Sequence, residues 1–119
     1  MTNACTWLIR LHTAPYVSSS AALAIDATLA CGAFGQSVTL VLEGPGVALL
    51  QPPEEPAVGG RNLFKLITSL PLYDIDRVYY LAENSSGITK THINGLQITP
   101  VTNKGLASLI ADSQHVLSF

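Results

Sequence analysis

Charge is scarce in this 119-residue chain. Asp, Glu, Lys and Arg make up 12 %, against 48 % hydrophobic residues. An average soluble domain carries roughly 25 % charged residues, so charge cannot cover the surface. Either the polar surface is unusually neutral or part of the surface is buried against partners. Exposed apolar patches mark interaction sites, which favours the second reading. Cations are scarcest: six Lys and Arg are scattered along the chain and the formal net charge is −2. Direct tRNA or DNA binding relies on clustered cations neutralising phosphates. No nucleic acid is therefore expected as a direct partner.

Other absences narrow the class further. No stretch reaches the roughly 20 apolar residues that span a bilayer, so no membrane is expected as a partner. The start, Met1-Thr2-Asn3-Ala4-Cys5, lacks the basic and apolar regions of a signal peptide. Only two cysteines, Cys5 and Cys31, are present. They could pair, but without a secretion signal a reducing cytoplasm is the expected location. No G-x-G-x-x-G follows the first strand and no Walker A lysine exists. The Gly44-Pro45-Gly46 turn reads as backbone punctuation.

What is present is an alternation of apolar runs and capped helices. Cys5-Thr6-Trp7-Leu8-Ile9-Arg10-Leu11, a nearly continuous apolar run, reads as a buried strand of a parallel sheet. Pro15 breaks it, Ser18, Ser19 and Ser20 offer N-caps, and residues 21–33, rich in Ala and Leu, read as a helix. Ser37-Val38-Thr39-Leu40-Val41-Leu42 is a second strand, followed by one helical turn over residues 47–50. Residues 51–60, with three prolines and two glycines, read as a loop. Asn62 can cap a short helix running through Leu70 and stopped by Pro71. Residues 76–81 form a third strand, β-branched and aromatic, and residues 83–87 a turn or a helical turn. Residues 96–101 read as a fourth, more exposed strand, which Pro100 places at an edge or a strand end. Thr102 or Asn103 caps a last helix to about residue 111, and residues 114–119 form a fifth strand.

The predicted fold is one α/β domain over residues 1–119. It is a three-layer α/β/α arrangement with a mainly parallel five-stranded sheet. Leu8, Leu40, Val41, Val78, Tyr80, Leu81 and Val116 are expected to be largely buried.

Candidate chemistry is sparse. In open α/β sheets the carboxyl ends of the strands form the ligand crevice. There the loop from His12 to Ser20 could hold an anion on the serines and free N–H groups of the helix start, although most helix starts only cap themselves. Cys31 sits late in its helix, at the negative end of the helix dipole, which raises a thiol pKa. Cys5 opens a strand at its amino end. Both read as packing residues. His12, His92 and His115 show no spacing to Cys or carboxylates that suggests zinc. Asp74 and Asp76 look like turn residues.

Several pieces together resemble the TusC/DsrF family of DsrE/DsrF/DsrH-like sulfur-relay proteins. Ala14-Pro15-Tyr16 precedes a helix containing Ile25-Asp26 and ending Gly32-Ala33-Phe34-Gly35-Gln36. Gly46-Val47 with Leu49-Leu50-Gln51 follows the second strand, with Pro45 where many relatives have Asp. Leu72-Tyr73-Asp74-Ile75 precedes the third strand. Ala111-Asp112 and His115-Val116-Leu117-Ser118-Phe119 close the chain.

The resemblance implies a sulfur relay with TusD/DsrE-type and TusB/DsrH-type subunits in a heterohexamer-like assembly, a downstream sulfur acceptor reached indirectly, and no cofactor. The Tus set serves 2-thiolation of the tRNA wobble uridine and the Dsr set dissimilatory sulfur oxidation. TusD/DsrE-type relatives carry a persulfidable cysteine near the third strand. The matching segment here, Val78-Tyr79-Tyr80-Leu81-Ala82-Glu83, has none, and a phenol cannot form a persulfide. The expected role is a non-catalytic, structural subunit of a TusBCD/DsrEFH-type sulfurtransferase complex serving tRNA wobble-uridine 2-thiolation, with a DsrF-like subunit in dissimilatory sulfur oxidation as an alternative. A self-sufficient sulfur carrier using Cys31, and a small anion-binding domain using the serine loop, stand as alternatives. The candidate groove or interface residues are His12, Ser18, Ser19, Tyr73, Tyr79 and Glu83. None is assigned as catalytic or metal-binding.

Overall fold

The computed structural model describes residues 6–15, 18–50, 62–84, 92–93 and 95–119. Its core is a six-stranded sheet. In chain order the strands are β1 (Thr6–Leu11), β2 (Ser37–Leu42), β3 (Arg77–Leu81), β4 (His92–Ile93), β5 (Leu96–Val101) and β6 (His115–Ser118). Their spatial order is β4-β5-β3-β2-β1-β6. Five run parallel, and β4 pairs antiparallel with the start of β5. The five parallel strands are those expected. The sixth, β4, was not expected, because two residues are too short to show alternation.

The helices are α1 (Ser20–Ala33), α2 (Leu63–Ile67) and α3 (Asn103–Asp112). From β1 the chain steps across the sheet to β2, β3 and β5, and then crosses back to place β6 on the other side of β1. With right-handed crossovers this reversal puts α1 and α2 on one face and α3 on the other. The two cores follow. On the first face Ile9, Leu11, Leu40, Leu42, Val78, Leu96 and Ile98 pack with Ala21, Ala24 and Ile25 of α1 and with Leu63 and Ile67 of α2. On the second face Leu8, Val41 and Leu81 pack with Leu106 of α3. Strands buried on both faces need continuous apolar runs, which is what β1 and β2 supply.

Three details depart from expectation. Val116 is 38 % exposed, because β6 is an edge strand and all four of its residues are exposed. Tyr80 is only half-buried. β5 keeps the expected greater exposure than β1, β2 and β3, with Gln97 and Pro100 exposed and Pro100 near its end, although Leu96 and Ile98 are buried. Finally, the helix capped by Asn62 ends at Ile67, and Pro71 does not stop it. Pro71 instead lies at the start of a 3-10 turn, Leu70–Tyr73, where its fixed φ and missing N–H are tolerated. A second 3-10 segment, Gly44–Leu50, absorbs both the Gly44-Pro45-Gly46 turn and the helical turn after it. The loop over residues 51–60 and the end of the turn over residues 83–87 lie outside the described residues.

Candidate functional site

The reversal in strand order makes a switch point between β1 and β6, where α/β sheets place ligands. His12 follows β1 there. It is exposed, and its backbone N–H donates to the Phe119 carbonyl at 3.0 Å. The serines come next in the chain. Ser19 is the residue before α1 and makes no side-chain cap, whereas the Ser18 hydroxyl accepts from the Ser20 N–H at 3.2 Å. The serine loop therefore satisfies one helix N–H through its own side chain. Tyr16 and Val17 of this loop lie outside the described residues.

The same end of the sheet carries two polar pairs that no sequence motif marked. Arg10, the one charged residue of β1, donates from Nε and Nη2 to both carboxylate oxygens of Glu43, at 2.8 and 2.9 Å. Both side chains are partly buried, and the carboxylate raises the Arg10 pKa further. The signal was legible afterwards: Arg10 lies beside Val41 in register, so Glu43, two residues on, projects from the same face. Glu83 follows β3 and accepts from the Asn103 backbone N–H at 3.3 Å and from the Asn103 side-chain amide. A carboxylate at the first residue of α3 suits the positive end of that helix. Glu83 thus ties the end of β3 to the start of α3.

Tyr73 and Tyr79 lie elsewhere. Tyr73 ends the 3-10 turn before β3 at the amino ends of the strands, lining a depression of about 190 Å³ with Gly32, Gln36 and Asp74. A neighbouring depression of about 300 Å³ is lined by Thr39, Asp74, Arg77 and Tyr79. The Tyr79 hydroxyl accepts from Arg77 at 3.4 Å, and Arg77 also donates to the Gln97 side chain. The six candidate residues therefore do not converge. His12, Ser18, Ser19 and Glu83 are on elements that meet at the carboxyl end, while Tyr73 and Tyr79 border depressions nearer the amino end.

Cys31 belongs to the amino end as well. It lies in the last turn of α1, which leads into the start of β2. It is half-buried and unpaired, and desolvation raises its thiol pKa. Cys5 lies outside the described residues. Among the described residues no three His, Cys, Asp or Glu side chains gather in a way that could hold a metal ion, and no helix is long and apolar enough to cross a membrane.

A doubly wound domain whose carboxyl edge is fastened by polar pairs, and whose one described thiol, Cys31, lies at the other end, defines a class. The family model for DsrE/DsrF-like proteins matches residues 8–119. The chain belongs to that family. Within it the chain is similar to a protein named TusC homolog from Vibrio vulnificus, with 28 % identity over 117 residues, covering 96 % of this chain and 97 % of the relative. The fold is similar to the crystal structure of the YchN protein from E. coli, with a TM-score of 0.79, 19 % identity and coverage of 97 % of this chain and 99 % of that one.

Proposed function

We infer that this chain is a non-catalytic, structural subunit of a TusBCD/DsrEFH-type sulfurtransferase complex, working in the cytoplasm. Its partners are a TusD/DsrE-type subunit, which carries the persulfide, and a TusB/DsrH-type subunit. The similarity to a TusC homolog supports wobble-uridine 2-thiolation of tRNA as the pathway over dissimilatory sulfur oxidation. The observation that carries the reading is the separation of thiol from crevice. Cys31 is at the amino end of the sheet with its pKa raised by burial, and the crevice end is occupied by the Arg10–Glu43 and Glu83–Asn103 pairs. A sulfur carrier needs an accessible thiol that is substantially thiolate near neutral pH.

Exposed Phe34, Leu72 and Tyr73 supply apolar surface of the kind an assembly covers. The test is co-expression with the TusD/DsrE-type and TusB/DsrH-type chains from the same genome. The expected result is one co-purifying complex, and loss of tRNA 2-thiouridine in cells lacking this chain. A chain that ignores both partners, in cells with unchanged thiouridine, would overturn the reading.

A further inference from the structure

The two edges of the sheet are built differently. At one edge β4 is only two residues long, a blunt end of the kind that resists pairing. At the other, among the described residues, β6 pairs with β1 alone. It carries no Lys, Pro, Asp or Glu among His115, Val116, Leu117 and Ser118, and so lacks the guards against strand addition that residue type supplies. It is also held ready. His115 stacks on Trp7 with ring centroids 4.3 Å apart. At the other end Phe119 packs on the main core, donates to the Arg10 carbonyl at 2.8 Å and accepts from the His12 N–H.

Phe119 turns both of its backbone groups toward β1. In a parallel ladder the residues that do so alternate, so His115 and Leu117 face β1 as well. The N–H and C=O groups of Val116 and Ser118 then point away from β1 and meet no other strand among the described residues.

We propose that β6 is a pairing edge for the β6 of a second copy of this chain, joined antiparallel about a two-fold axis. The self-match decides the occupant. Val116 of each copy exchanges two hydrogen bonds with Ser118 of the other. Leu117 then stands opposite Leu117, in the non-hydrogen-bonded position where side chains come closest. The 39 % exposure of Leu117 and 38 % exposure of Val116 are what this contact would cover. An uncharged strand meets its own copy without like-charge repulsion, so one segment provides both halves of the joint. The proposal does not depend on the sulfur-relay reading.

The alternation supplies the test. Val116→Pro deletes an outward N–H and leaves every β1–β6 bond in place, and proline is tolerated on such an edge. Ser118→Pro does the same one step along, and Leu117→Lys sets like charges face to face without touching the backbone. Analytical ultracentrifugation of the full chain over a concentration series reads the result, with melting curves as the control for folding. The expected outcome is a dimer for the unmodified chain and a dissociation constant raised about tenfold or more in all three variants. An unmodified chain that stays monomeric at several hundred micromolar overturns the proposal. So do variants that dimerise as well as the parent. A monomeric parent whose complex with a related chain is lost in the variants assigns the edge to that other chain, and equally overturns pairing with a second copy.

Discussion

The carboxyl and amino ends of this sheet have been put to opposite uses. At the carboxyl end, where α/β folds keep ligands, the polar groups are spent on each other: Arg10 on Glu43, Glu83 on Asn103, the His12 N–H on the Phe119 carbonyl. At the amino end are the thiol of Cys31, two polar depressions, and Phe34, Leu72 and Tyr73 standing out to solvent, with Phe34 and Leu72 more than four-fifths exposed. A fold can keep its customary crevice in outline while its groups serve the scaffold. Reactive character has then to be read from side-chain partners and burial.

The two ends differ in backbone tolerance, and the largest expected effect tests this. A Cβ on Gly46 would lie 2.4 Å from the Leu11 carbonyl oxygen, a backbone atom within the sheet. A Cβ on Gly32 would lie 2.9 Å from the end of the Ile75 side chain and 3.0 Å from the Tyr73 carbonyl, in a surface turn with more room to give. Gly46→Ala should cost about 3 kcal/mol or prevent folding, and Gly32→Ala about 1–2 kcal/mol. Urea denaturation ranks them, and the reverse order would break the contrast.

The Arg10–Glu43 pair comes next. Arg10→Met leaves the Glu43 carboxylate, 13 % exposed, without its partner, at a cost of about 1–3 kcal/mol. Glu43→Gln keeps a hydrogen-bond acceptor and should cost less. Equal effects of the two on the denaturation midpoint would show that the charge does not matter.

The helix starts give a smaller contrast. The Thr102 hydroxyl accepts from the Gly105 N–H at 3.1 Å as a true cap of α3, so Thr102→Ala should cost about 1 kcal/mol. Ser19 makes no such bond before α1, and Ser19→Ala should change the melting temperature little.

The smallest effect concerns Cys31. Its thiol pKa is raised by burial, so the folded state favours the neutral thiol. The stability this lends is present below the unfolded thiol range and is lost as pH rises through the folded pKa. Alkylation of the folded protein should accordingly reach its half-maximal rate at a higher pH than alkylation of the unfolded chain. A midpoint below that of a free thiol would mark an activated cysteine.

Much of the fold was legible because buried parallel strands leave strong signatures. The runs that became β1, β2 and β3 are apolar on both faces, and Asn62 and Thr102 cap the helices they precede. Edges were less legible. Val116 and Leu8 carry the same kind of side chain in neighbouring registered positions, yet one is buried and the other exposed, because only topology says which strand is last. The candidate site was least legible. Ion pairs such as Arg10–Glu43 join residues 33 apart, and composition does not reveal them. The place of Cys31 was legible from its helix, because the direction of α1 fixes which end of the sheet its last turn reaches; the burial that raises its thiol pKa was not.

Persulfide labelling tests the central claim most directly. The assembled complex is purified with its TusD/DsrE-type and TusB/DsrH-type partners, charged by a persulfide donor, and mapped by mass spectrometry. The expected result is label on the TusD/DsrE-type partner's cysteine, none on Cys31, and full sulfur transfer by a complex carrying Cys31→Ser. Label on Cys31, with transfer lost in Cys31→Ser, would contradict the account and make this chain the sulfur carrier.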